Sequence, residues 1–448
     1  MSDSMKNTTL FGIVALLFVM TGLLQSWNAS LSILNMALIS AIMALGVNLQ
    51  WGFAGLFNVG VMGFVALGGL AAVLVGSEPV PGAWSAGGRS ILLALVLGAA
   101  TIVAAVLAYT RMTPSRLRSL VVLGILVAGF FLYRGIFDAG VEAVEAINPA
   151  AQGNIGGLNW LAAARDSEVQ RADLFILLAW PVGGLLAAGA AWVIGKTALG
   201  LRSDYLAIAT LGIAEITIAV LKNEDWLARG VKNVIGLPRP VPYEVTLQNT
   251  PGFTETAIGL GLDPTTASTL WVKLLYSGLF TAVLVVLLVL AQLALKSPWG
   301  RMMRAIRDNE IAAEAMGKDV TARHLQIFIL GSAVCGIAGA MMTTLDGQLT
   351  PGSYQPLRFT FLVWVMVIVG GSGNNFGSVL GAFLIWFLWV QVEPLGALLM
   401  DTITLGLEDG SDLKKHLLNS VAYMKFITMG LVLLLVLRFS PRGLIPEK

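Results

Sequence analysis

The sequence predicts an all-α, polytopic transmembrane helical bundle of about 10–12 spans. Three observations point there. Hydrophobic residues make up 56% of the chain and charged residues 12%, against about 25% charged in soluble domains. Apolar runs of roughly 18 residues or more, the length that crosses a bilayer as a helix, recur from one end to the other. Lysine and arginine gather in segments between those runs.

Apolar stretches place spans at 10–27, 31–50, 59–76, 90–109, 119–133, 173–195, 205–221, 270–295, 324–344, 357–370, 378–394 and 420–438. The first follows Lys6 with no small-x-small site before Trp27, so it reads as a retained span rather than a removed signal peptide. The segments 119–133 and 357–370 are short for a hydrocarbon core of about 30 Å. No tandem repeat or linker is visible, so residues 1–448 read as one transmembrane domain.

Charge in the connections sets the orientation. Arg111, Arg116 and Arg118 lie in 110–118, and Lys196 and Arg202 in 196–204. Lys296, Arg301, Arg304, Arg307, Lys318 and Arg323 lie in 296–323, and Arg438, Arg442 and Lys448 in the tail. With these inside, every intervening span alternates correctly and both termini fall in the cytoplasm. The longer loops 134–172 and 222–269, with acids such as Asp138, Glu142, Glu224 and Glu244, fall outside.

Several chemistries are excluded. The one cysteine, Cys335, permits no intrachain disulfide and no cysteine metal site. The two histidines, His324 and His416, are far apart at segment ends and read as interfacial polar residues. Gly195-Lys196-Thr197 lacks the glycine a phosphate loop needs, because position 190 is alanine. Gly371-Ser372-Gly373-Asn374-Asn375-Phe376-Gly377 has its last glycine one residue late for a dinucleotide fingerprint and lacks a strand before it. No catalytic residue, bound cofactor, metal or nucleic-acid partner is expected.

Residues 300–317 are the densest charged segment and lie between two apolar stretches. Pro298 ends the preceding span. Arg304 and Asp308 stand four apart and Arg307 and Glu310 three apart, spacings worth a few tenths of a kcal/mol on an exposed helix. Ala312, Ala313 and Met316 offer a small apolar surface, and Gly317 is placed to end the helix. Such a segment is either a solvated connector or a short helix offered to a soluble partner.

The run Ala305-Ile306-Arg307-Asp308-Asn309-Glu310-Ile311-Ala312-Ala313-Glu314-Ala315-Met316-Gly317 resembles the coupling loop of permease subunits from branched-chain amino-acid ABC importers. Against the general ABC pattern, Ala312, Ala313, Gly317 and Ile327 keep the spacing. Ile311 stands where that pattern has glutamate, and Ile329-Leu330 where it has Leu-Pro. The stretch Leu201 to Ile216 is similar to one that separates M-type from H-type permeases, with Ser203 in place of glycine. It carries Glu215 inside a span, where a carboxylate is a functional candidate because its charge is costly to bury. A structural hydrogen bond to a neighbouring helix is the alternative.

Two glycine-rich stretches also resemble the family. One holds Gly46, Asn48, Gly52, Gly55, Asn58 and Gly60, with Asn58 where serine is usual; the other holds Gly371, Gly373, Asn374, Gly377 and Gly381. Both are candidates for the transport pathway, or else for tight helix packing. The ending Arg438-Phe439-Ser440-Pro441-Arg442-Gly443-Leu444 also looks like the family's. The resemblance covers about 31–76 and 173–448, leaving 90–172 as a possible insertion with its own spans.

The resemblance implies an M-type permease of a binding-protein-dependent importer in a bacterial inner membrane. It implies a homologous H-type permease, two cytoplasmic ATPase subunits that use the ATP, and a periplasmic binding protein. Branched-chain or related amino acids would be the cargo, with urea or short amides as the alternative. An ion-coupled secondary transporter is a different class that Glu215 would suit, although no further intramembrane acid accompanies it.

Overall fold

The computed structural model describes residues 3–77, 82–147, 174–405 and 411–447. The fold is an all-α bundle. Its helices are α1 (Asp3–Leu24), α2 (Trp27–Val47), α3 (Val61–Gly76), α4 (Arg89–Arg111), α5 (Arg116–Ile147), α6 (Ala179–Ala198) and α7 (Ser203–Asn223). Short helices α8 (Asp225–Ala228), α9 (Glu244–Gln248) and α10 (Pro251–Gly259) follow. Then come α11 (Pro264–Lys296), α12 (Pro298–Asp308), α13 (Glu310–Ala315), α14 (Val320–Asp346), α15 (Pro356–Gly370), α16 (Asn375–Ile403), α17 (Asp412–Asn419) and α18 (Met424–Phe439). Among the described residues, 10 helices are long and apolar enough to cross a membrane, and α3 and α15 are shorter apolar helices.

Each of the twelve expected spans falls on one of these helices, but several boundaries move. The expected 119–133 is the centre of α5, whose 32 residues continue into what was read as an outer loop. The expected 378–394 extends to Ile403, running through Pro394. Polar residues such as Arg134, Asp138 and Glu142 carry α5 beyond its apolar centre, and α16 continues past Pro394 through the mostly apolar 395–403. The part of the possible insertion at 148–172 lies outside the described residues.

Burial divides the helices. In the apolar window of α2, 83% of residues are buried, against 6% in α5. In a bilayer, close packing rather than hydrophobicity holds helices together, so small residues mark the contacts. A Cβ on Gly68 (α3) would overlap the Gly336 carbonyl (α14), and one on Gly336 would overlap that of Gly183 (α6). Helices α3, α6 and α14 therefore touch backbone to backbone. Gly46 and Gly331 bring α2 against α14 in the same way: a Cβ on Gly331 would lie 2.6 Å from the Gly46 oxygen. By contrast α4 and α5 form a hairpin with its own cluster of Ala83, Ile91, Ala94, Phe137 and Val144. Trp226, 4.6 Å from the Phe137 ring, links that hairpin to the segment after α7.

The bundle has two distinct ends. At one, antiparallel strands β1 (Val234–Ile235) and β2 (Gln348–Leu349) pair in register Val234↔Leu349 and Ile235↔Gln348. The other carries α12, α13, the turns 53–60 and 371–374, and the C-terminal tail. The basic segments 110–118 and 196–204 belong to this second end. Gly195 at the foot of α6 lies against Leu325 and Phe328, near the start of α14.

Candidate functional site

Arg307 organises the second end. It lies near the C-terminus of α12, and the expected single helix over 300–317 is broken just after it. Asn309, at φ −156°, ψ 98°, leaves the helical region and caps α13, its side chain accepting from the Ala312 N–H. The break redirects the charges. Arg307 pairs with its neighbour Asp308 at 3.1 Å and with Glu447 of the tail at 2.8 Å, not with Glu310. Arg304 donates to the Leu295 carbonyl at 3.3 Å, not to Asp308. Both expected pairs are corrected: the break separates Arg307 from Glu310, while Arg304, on the same helix as Asp308, turns to the Leu295 carbonyl and leaves Asp308 to Arg307. Burial works against the Arg307 charge, but the Glu447 and Asp308 carboxylates outweigh it and hold the guanidinium above its ordinary pKa.

Arg307 also donates to the Gly52 carbonyl, where α2 ends in a π-helical turn over Asn48–Gly52. That widened turn frees Asn48 for two neighbours. Its Oδ1 accepts from the Gly373 N–H and its Nδ2 donates to Asn375 Oδ1, each at 2.9 Å. A Cβ on Gly52 would lie 2.5 Å from the Gly373 nitrogen, so only glycine allows this approach. Gly55 and Gly373 take positive φ of 69° and 78°, and Gly371 of 122°, where L side chains are strained. Asn374 caps α16 by accepting from the Phe376 and Gly377 N–H groups, and it donates to the Pro446 carbonyl at 3.1 Å. The tail is held further by Leu444 N–H to Val369 O and Ile445 N–H to Gly370 O, both 2.9 Å.

Asn58 is fully buried beside this joint. It donates to Gln50 Oε1 at 2.8 Å, and Gln50 donates to the Phe328 carbonyl at 2.9 Å and to Ser332 Oγ at 3.0 Å. The Asn58 carbonyl accepts from Trp364 Nε1 at 3.0 Å. Thr210 of α7 accepts from the Val59 N–H at 3.1 Å. One network therefore ties α2, α7, α14 and α15 together, because buried polar groups at this depth require protein partners.

The structure thus brings Asn48, Gly52, Gly55, Asn58, Gly371, Gly373 and Asn374 together with Arg307. Their visible work is packing, capping and hydrogen bonding. Glu215 stands apart on an exposed face of α7, and among the described residues no hydrogen bond or ion pair engages it. Sequence reasoning missed Gln50, Thr210, Trp364 and Glu447. The signals were a glutamine inside an apolar run and a lone acid in a basic tail.

Helix α13 projects from this end. Gly317, at φ +75°, terminates it, with its N–H on Glu314 O at 2.8 Å and the Lys318 N–H on Ala313 O at 3.2 Å. Glu310, Ala312 and Glu314 are exposed, but Ala313 is buried with Ile306 and Val320 rather than on the apolar surface. That surface is instead Ile311 and Met316, 79% and 80% exposed. His324 lies at a segment end, in the first turns of α14, but is buried there, and its Nε2 has no hydrogen-bond partner among the described residues.

A family described as "Branched-chain amino acid transport system / permease component" matches residues 150–437. The chain is 31% identical over 211 residues to the high-affinity branched-chain amino acid transport system permease protein LivM of Escherichia coli, 46% of this chain and 48% of that one. It is 28% identical over 154 residues to a probable branched-chain amino acid transport permease protein LivM of Methanocaldococcus jannaschii, 34% of this chain and 41% of that one. The xylose transport system permease protein XylH of Escherichia coli is 23% identical over 263 residues, 57% of this chain and 53% of that one. The chain spans about half the length of these curated relatives. No solved structure matches.

Proposed function

This chain belongs to the family of permease components of branched-chain amino acid transport systems, with M-type relatives, and on that premise we propose that it forms half of a membrane passage driven by separate ATPase subunits. One observation carries the mechanism: Ile311 of α13 and Met316 just after it are 79% and 80% exposed, and the preceding helix α12 is rooted in the bundle through Arg307. Exposed apolar side chains outside the spans fit a socket in a soluble partner. The ATPase would seat α13. Its motion would pass through α12 to Arg307, and from there to the end of α2, the α15–α16 turn and the tail. Opening at one face and closing at the other would follow from the shared network.

The basic segments 110–118, 196–204 and 296–323 favour a cytoplasmic position for this end, in a bacterial inner membrane with both termini inside. The remaining partners would be an H-type permease, a second ATPase subunit and a periplasmic binding protein. The chain would itself bind no cofactor. Residues 1–448 would form one permease domain, with the α4–α5 hairpin as an addition before the matched region. The cargo would be branched-chain or related amino acids, as the names of the relatives suggest. The xylose permease relative supports a second reading, a different small polar cargo. Mild detergent extraction followed by protein identification tests the assembly. Recovery of a second permease, ATPases and a binding protein supports it, and the ligand retained by that binding protein decides the cargo. Recovery of this chain alone, active in liposomes without ATP, refutes the reading.

A further inference from the structure

Glu215 is placed where hydrocarbon would not tolerate it. It lies about 18 Å along α7 from its start and about 12 Å from its end, at about 1.5 Å per residue. That is mid-membrane. Two acids near the ends of spans have cations beside them: Glu393 pairs with Lys425, and Asp138 with Arg134 at 3.1 Å. Glu215 has neither cation nor hydrogen-bond donor among the described residues, and its side chain is exposed.

Its surroundings form one helical face. Tyr205, Ile208 and Ile216 are 62%, 68% and 64% exposed, and Gly212, Glu215 and Ala219 are exposed with them. The opposite face packs on α3, where a Cβ on Gly63 would lie 2.8 Å from the Ala214 Cα. A lipid-facing surface looks different. Between Val283 and Leu295 of α11 the exposed residues Val285, Val286, Val289, Leu290 and Leu293 are all aliphatic. Intramembrane acids face protein or water rather than lipid. Gly212 and Ala219 leave room for another helix to come close.

We propose that the α7 face carrying Glu215 docks a second membrane-spanning subunit, which brings a lysine or arginine to the depth of Glu215. The proposal rests on the importer reading and adds to it which face meets the partner permease. Charge complementarity selects the partner: an uncompensated acid amid apolar side chains needs one cation on a helix that is otherwise apolar.

The test is co-purification of the assembled transporter through a tag on this chain, followed by ATP-dependent uptake in proteoliposomes. Glu215→Leu and Ile208→Trp are compared with Val286→Trp on the α11 face. Size-exclusion elution of this chain checks that each variant folds. Both α7 variants should lower recovery of the second permease by about tenfold, and Val286→Trp should leave it unchanged. Cys335 is buried, so an Ile208→Cys variant should also crosslink to the second permease without interference. Unchanged recovery in both α7 variants overturns the proposal alone. Unchanged recovery with uptake lost only in Glu215→Leu also overturns it, because Glu215 would then face the passage. If the unmodified chain recovers no second permease, the importer reading fails and takes this inference with it.

Discussion

Replacing Arg307 should loosen the charged end of the bundle and weaken coupling together. Its Nη1 lies 2.8 Å from Glu447 Oε2, with the two side chains 24% and 28% exposed. Hydrogen bonds to charged groups contribute about 1.5–3 kcal/mol, and partial exposure pulls this pair toward about 1 kcal/mol. The further bond to the Gly52 carbonyl adds about 1 kcal/mol. Arg307→Met should therefore cost about 2 kcal/mol, and Glu447→Gln, which keeps a neutral acceptor, about 1 kcal/mol or less. The double variant should cost little more than Arg307→Met alone, since the pair is already broken. Thermal unfolding of the detergent-solubilised chain reads the stability, and cargo moved per ATP in proteoliposomes reads the coupling. Additive costs, within about 0.5 kcal/mol, would show that the two side chains act separately and refute the joint. Intact coupling in Arg307→Met would refute its place in the transmission path.

Further outcomes follow from the same geometry. Gly52→Ala brings a Cβ to 2.5 Å from the Gly373 nitrogen, and the strain should lower stability by about 1–3 kcal/mol, seen as an earlier thermal transition; an unchanged transition would mean the two turns separate easily. Asn48→Ala leaves the buried Gly373 N–H without its acceptor and should cost about 1–3 kcal/mol, with Asn48→Asp recovering part of it in the same assay. Glu314→Arg, on the exposed side of α13, should abolish uptake while membrane insertion and ATPase subunit activity persist; normal uptake would remove α13 from the coupling role.

Among the described residues, ten spans were legible because hydrocarbon imposes one simple requirement, an apolar helix of sufficient length, which each meets locally; the shorter α3 and α15 were legible from their apolar runs alone. Gly317 was legible for a similar reason, since a helix end needs a residue tolerant of positive φ. The Arg307–Glu310 pairing was not, because it assumed a continuous helix, and the Arg304–Asp308 pairing was not, because the Leu295 carbonyl and Arg307 compete for the two side chains. The turn at Asn309 depends on how α12 packs against Leu295 and how its Ile306 packs with Ala313 and Val320, which spacing along the chain does not encode.

Composition and periodicity alone determined that this chain is a membrane bundle, where its helices lie, and which segment is exposed and charged. Only the tertiary structure decided that Gly52, Gly373 and Glu447 meet at Arg307, and that Glu215 faces outward. Hydropathy is a sum over neighbours in sequence. The Arg307–Glu447 contact joins residues 140 positions apart, brought together by backbone contacts that only glycines permit. The face a helix presents is set by which neighbours cover its other side, and for α7 that neighbour is α3.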